Sequence, residues 1–213
     1  MNYNELVRLT RELPCFDMAL LVQAFDEQRA VIRTQIVRLA RQGKVVRLRR
    51  GMYTLSDEYR HAILTPAALA NMLYRPSYLS GPWVLGFYDM IPERVVWLTS
   101  VTSRVPRHFE NRYGSFDYRS IKRDFFFGYR TTRYGQQEIL AAEPEKALLD
   151  HWYLTPGEWT EARIREMRYQ NADKVSPDKL LEWADRYQRP RLLRAVKRWL
   201  VVAGEEEKGT VTL

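Results

Sequence analysis

The chain has 213 residues, 46% hydrophobic and 28% charged, with a net charge of +8 and a pI near 9.6. That composition suits a protein that buries an ordinary core and favours polyanionic partners. Its one cysteine, Cys15, excludes an internal disulfide and a multi-cysteine zinc site, and is expected to act as a small buried hydrophobe. No apolar run reaches the roughly 18 residues of a membrane span, and no signal-peptide pattern opens the chain. A soluble, cytoplasmic protein without a membrane partner is the expectation.

Residues 2–13 predict a first helix with Leu6, Leu9 and Leu13 inward, capped by Asn2 or Asn4 and ended by Pro14. Asp17 caps a short second helix, Met18 to Phe25, with Ala19, Leu20, Ala24 and Phe25 apolar. Asp26, Glu27 and Gln28 then turn into a third helix, where the acids favour the positive N-terminus. The third helix shows an apolar stripe at Ile32, Ile36, Leu39 and Ala40 and ends at Gly43. Val45 to Leu48 and Met52 to Leu55 follow as a hairpin around Arg49-Arg50-Gly51. Helix, short helix, turn, basic helix, hairpin is the order of a winged helix-turn-helix.

Residues 56–64 are polar, which puts a domain boundary near residue 60. Thr65-Pro66 starts a helix through Leu73. Tyr78 to Ser80 reads as a short strand, and Gly81-Pro82 starts a short helix through Tyr88. Val95 to Val101 reads as a strand. Phe109 to Tyr118 reads as a hairpin around Gly114 with Phe116 and Tyr118 on one face. Ile121 to Tyr129 and Glu138 to Ala141 read as weaker strands, separated by a polar turn, Arg130 to Gln137. A small, mainly antiparallel sheet is expected. Pro144 opens a helix with Ala147, Leu148 and Trp152 inward. Three more helices follow, at about 158–170, 177–187 and 190–201. The fold class is therefore α+β: a winged helix at 1–60, a mixed α/β domain with C-terminal helices at 61–203, and a flexible polar tail at 204–213.

Residues 29–50 hold eight basic side chains and no acid, and the rest of the chain is neutral. A solvated face ordinarily mixes both signs, so double-stranded DNA is the expected partner. Gln28, Arg29, Ala30, Arg33 and Thr34, at the start of the third helix, are placed near bases, where Arg pairs with guanine and Gln with adenine. Arg38 and Arg41 are placed for phosphates, Lys44 lies at the helix exit, and Arg47, Arg49 and Arg50 on the hairpin are placed for backbone or minor groove. A second basic group, Arg186, Arg189, Arg191, Arg194, Lys197 and Arg198, has Arg191, Arg194 and Arg198 outward and offers a further surface. Catalytic signals are thin. His61, His108 and His151 are dispersed, and no nucleophile elbow or phosphate-binding loop occurs. Glu143-Pro144-Glu145-Lys146 has the look of a nuclease cluster, but helix-start chemistry explains it better. No enzyme activity, cofactor, metal or small-molecule substrate is expected.

RPSYLSGPWVLGFYDMIPE (75–93), LTSVTSR (98–104), FENRYGSFDYRSI (109–121), FFFGY (125–129) and AAEPEKALLDHWYL (141–154) resemble the AbiEi-type antitoxin and transcriptional regulator family. So does L-x-R-Q-G-K-V-x-R-L-R-R-G-M-Y at 39–53. The likeness runs from Phe16 to Leu154 and departs at Gly81-Pro82-Trp83, where the family carries small polar residues before an Ala-Leu pair. The resemblance implies a DNA-binding antitoxin and autorepressor that binds inverted repeats in its own promoter. It implies a nucleotidyltransferase-like toxin as functional partner, in a type IV system of abortive infection in which the two need not form a complex. Family members repress through the N-terminal domain and protect through the C-terminal one. The alternatives are an antitoxin that masks its toxin by direct binding, and a stand-alone winged-helix regulator.

Overall fold

The computed structural model describes the backbone of residues 1–210 and the side chains of residues 1–205. Helix α1 (Tyr3–Thr10) is held at its start by a reciprocal cap: Asn2 accepts from the Asn4 amide, and Glu5 accepts from the Asn2 amide. It ends earlier than the sequence suggests. Of the expected stripe only Leu6 is buried, joined by Thr10, whose hydroxyl donates to the Leu6 carbonyl. A two-residue strand β1 (Phe16–Asp17) leads into α2 (Met18–Ala24), capped by Asp17. Met18 and Leu21 are its buried residues, whereas Ala19 and Ala24 are exposed. A seven-residue helix whose one polar side chain is Gln23 has too little periodicity to show which side faces in.

Helix α3 (Arg29–Arg41) buries Ile32, Ile36 and Leu39, as its stripe predicts. Gly43, at φ +73°, closes it: the Gly43 amide donates to Ala40 O and the Lys44 amide to Leu39 O. Strands β2 (Val45–Arg49) and β3 (Met52–Leu55) form the expected hairpin, with a register shift between Arg47 and Arg49, and β1 completes a three-stranded antiparallel sheet in the order β1-β3-β2. Leu6, Phe16, Leu21, Ile32, Ile36, Leu39, Val45, Tyr53 and Leu55 pack together beneath it.

The second core is larger and sits on a six-stranded sheet. Helix α4 (Pro66–Leu73) starts at the Thr65 cap and proline, as read. Then come β4 (Ser77–Leu79), α5 (Pro82–Phe87), β5 (Leu98–Thr102), β6 (Arg107–Asn111), β7 (Gly114–Ser120), β8 (Tyr129–Tyr134) and β9 (Gln137–Ala142). The strand order is β6-β7-β5-β4-β9-β8, and β4 with β9 and β5 with β7 are parallel. The sheet is thus mixed rather than mainly antiparallel. Hairpin signals show only neighbours in sequence, and both parallel pairs join strands that are not consecutive.

Three strand boundaries also move. Val96 and Trp97 are 81% and 60% exposed, so β5 begins only at Leu98. Residues 121–128 hold a 3-10 turn (Arg123–Phe125) instead of a strand. The polar stretch read as a turn, 130–137, is mostly strand β8, joined to β9 by the two residues Gly135 and Gln136.

Helix α6 (Pro144–Leu154) runs through the core, followed by α7 (Glu161–Glu166), α8 (Pro177–Asp185) and α9 (Pro190–Thr210). Helix α9 continues past Val201, so 204–210 of the expected tail is helical, and 211–213 lie outside the described residues. Among the described residues no helix is long and apolar enough to cross a membrane.

The two cores meet at the hairpin. Leu48 and Met52 are buried in the second core, not the first. Asn111 Nδ2 donates to Leu48 O at 3.0 Å, laying β2 against β6. Arg60 donates to Tyr113 Oη at 2.8 Å, and Asp57 accepts from both Arg60 and Arg112.

Candidate nucleic-acid interface

A helix that buries Ile32, Ile36 and Leu39 must present positions 30, 33, 34, 37, 38 and 41 on its far side. Ala30, Arg33, Thr34, Arg38 and Arg41 are all exposed, as are Gln28 and Arg29 at the helix start. Gln28 occupies the N-cap without a side-chain cap bond, so its amide is available to a ligand. The Thr34 hydroxyl donates to Ala30 O at 3.1 Å, which turns its methyl group outward. Val37, 41% exposed, lies on the same face between Arg33 and Arg41. The sequence reading passed over it as neither core nor charge. An apolar methyl there is suited to a thymine methyl in a major groove.

None of the eight bases from Arg29 to Arg50 forms an ion pair among the described residues. They differ in freedom, however. Arg47 and Arg50 are exposed. Lys44 is half-buried, its Nζ 4.7 Å above the Tyr3 ring. Arg49 is half-buried too: its Nε donates to Leu73 O at 2.6 Å, so it ties the hairpin to the second core. The expected hairpin cations therefore divide into two free and one used internally.

A second constellation lies inside the protein. Lys146 and Asp150, one turn apart on α6, form an ion pair that is completely buried. Asp150 also accepts from Tyr78 Oη at 3.0 Å, Ser80 Oγ at 2.7 Å and Tyr187 Oη at 3.3 Å. Lys146 donates to Tyr187 Oη at 2.7 Å and stands beside the rings of Tyr78, Phe127 and Tyr187. Burial pushes the Lys146 ammonium down and Asp150 pulls it back; burial and the Asp150 charge push the Tyr78 hydroxyl up. Gly128 makes room for this arrangement, since a Cβ there would sit 2.7 Å from the Trp183 ring and 3.1 Å from Lys146 Cγ. Five polar side chains, those of Lys146, Asp150, Tyr78, Ser80 and Tyr187, bond one another in the core and tie α6 to β4 and to the end of α8.

Neither a protein-family model nor a curated protein matches this chain.

The acidic residues at the start of α6 are engaged in the fold. Glu145 is buried, with Oε1 accepting from the Ser176 amide at 2.9 Å, and Lys179 bridges Glu143 at 2.7 Å and Glu145 at 3.1 Å. Glu145 and Lys146 of the nuclease-like cluster thus carry structural contacts, and among the described residues no acid, His or Cys group is arranged to hold a metal. Half of the second basic group is engaged as well, while Arg186, Arg189 and Lys197 are exposed. Arg191 donates to the carbonyls of Trp152, Tyr153, Thr155 and Gly157, closing the end of α6, instead of facing outward. Arg194 and Arg198 grip Glu158 at 2.9 and 2.8 Å and hold its carboxyl down at about 2. The i, i+4 spacing of Lys146 and Asp150 amid Ala, Leu and Leu was the signal that could have shown the buried Lys146–Asp150 cluster. A charged pair on a helix with no polar side has nowhere to go but inward.

Proposed function

We propose that this chain is a double-stranded DNA-binding repressor of the AbiEi antitoxin type. Its α1–β1–α2–α3–β2–β3 order is that of a winged helix-turn-helix, with α3 as the recognition helix and β2–β3 as the wing. The observation that carries the reading is the outer face of α3. Ala30, Arg33, Thr34, Arg38 and Arg41 stand exposed on one side of a buried stripe, and no carboxylate neutralises them. Gln28, Arg29, Arg33 and Thr34, with Val37, read base edges; Arg38, Arg41, Arg47 and Arg50 meet phosphates. The antitoxin role and the nucleotidyltransferase-like toxin partner rest on the resemblance of 75–154. The role is taken as non-enzymatic, since the buried Lys146–Asp150 cluster is engaged in its own hydrogen bonds.

Binding to the protein's own promoter, followed by fluorescence anisotropy across a salt series, tests this. With about five phosphates neutralised, the log–log salt slope is expected at roughly −4 to −5. A slope near zero, or equal affinity for promoter and random duplex at every salt, would sink the reading.

A further inference from the structure

The two ends of the six-stranded sheet are treated differently. Strand β6, at one end, has the hairpin strand β2 laid against it through the Asn111–Leu48 bond. Strand β8, at the other end, pairs among the described residues only with β9, and its sequence YRTTRY presents six residues of edge. Along such an edge alternate backbone N–H and C=O groups lack a strand partner. We propose that the β8 edge receives an extended, acidic segment of a partner protein as a seventh strand. This rests on the geometry of the second core and is independent of the DNA reading.

Two features argue for an occupant. First, one groove opens at the last residue of the strand and another runs beside its first half. One, of about 710 Å³, runs past Tyr134, Trp83, Phe87, Val95 and Val96. The other, of about 470 Å³, runs past Tyr129, Thr131, Phe126, Met72 and Leu140. An added strand sends alternate side chains to the face that holds Tyr129 and Thr131, where the second groove gives that set a place. Val96 and Leu140 stand exposed beside these grooves.

Second, the charge selects the occupant. Arg130 and Arg133 are exposed on β8 and form no ion pair among the described residues, while Arg75 and Arg94 line the two grooves. Opposing them is Glu138, the register partner of Arg133. The other acids at the first groove are engaged: Glu93 with Arg168 at 2.5 Å, Asp89 with Lys174 at 3.5 Å. A second copy is disfavoured, because antiparallel self-pairing centred on Thr131 and Thr132 sets Arg130 against Arg133 of the other copy. An acidic strand with bulky apolar residues meets every requirement.

The test uses the full chain and a fluorescein-labelled peptide of about ten residues, alternating Glu with Val and ending in Leu-Trp. Anisotropy is expected to show saturable binding, and amide exchange to slow within 129–134. The same peptide N-methylated at alternate residues keeps its charge and side chains but cannot complete the ladder, and it is expected not to bind. Arg130→Glu together with Arg133→Glu is expected to weaken the parent peptide roughly tenfold, leaving promoter DNA affinity unchanged. Equal binding of the N-methylated peptide would overturn the proposal in favour of charge alone. So would failure of the parent peptide to bind, or protection confined to other segments. Loss of DNA affinity in the charge-reversed variant would assign the edge to nucleic acid, and concentration-dependent dimers with 129–134 already protected would assign it to a second copy.

Discussion

His151 shows how burial, helped by a nearby charge, sets a pH response. Its ring lies 5.1 Å from that of Trp159, its Nε2 has no partner among the described residues, and burial, with Arg163 nearby, pushes its pKa down to about 4. The folded protein therefore resists protonation that the unfolded chain accepts below about 6.5. Stability from this residue is fully present above that pH and is lost as pH falls from about 6.5 to about 4, on the order of 3 kcal/mol in all. Urea midpoints across that range should slope accordingly, and His151→Leu should flatten the slope; an unchanged slope would place the sensitivity elsewhere. Asp150 makes the opposite kind of demand. Asp150→Ala removes the acceptor of Lys146, Tyr78, Ser80 and Tyr187 at once. An unpaired buried ammonium costs about 3–5 kcal/mol, so the variant should unfold at markedly lower urea. Wild-type stability in it would mean that water reaches Lys146.

At the scale of elements, the proposed DNA reading divides the work between α3 and the β2–β3 hairpin, and variants should show it. Arg33→Ala is expected to cost about 1–3 kcal/mol on the preferred site and to relax sequence preference, whereas Arg47→Ala with Arg50→Ala should weaken all duplexes alike and reduce the salt slope by about two. Anisotropy on promoter and scrambled duplexes separates the two; identical, sequence-blind losses would show the base readers misplaced. The elements themselves were legible where local chemistry fixes them. The Ile32–Ile36–Leu39 stripe, the Gly43 stop, the Thr65-Pro66 start and the Phe116–Tyr118 alternation each state their own structure. What stayed hidden was set at long range. Tyr129 to Tyr134 is polar because it is an edge, and it lacks the apolar alternation that marks a strand. The parallel pairing of β4 with β9 joins residues about sixty apart. Arg49 looked like its neighbours Arg47 and Arg50, and only the position of Leu73 O distinguishes it.

Across the whole molecule, the hairpin that is the proposed wing also contributes Leu48 and Met52 to the second core. The eight bases of 29–50 equal the entire net charge, and that segment carries the longest run of one sign in the chain. The second unit adds rigidity there. Leu48 and Met52 are 2% and 7% exposed, with Arg49 and Asn111 bonded across the same junction. Burying each such side chain contributes about 1.5–3 kcal/mol. A fragment of about sixty residues is already marginal by its own core. Residues 1–60 expressed alone should therefore be much less stable than the full chain and bind promoter DNA more weakly, because the wing loses its backing. Leu48→Lys separates this from general fragility. It should cost more than about 2 kcal/mol in the full chain, where the position is buried, and be close to neutral in the fragment, where it is open to water. Thermal melts of the four proteins check the sign at each step. Equal costs in both contexts would mean that the wing's packing is internal to residues 1–60 and that the second unit leaves it unsupported.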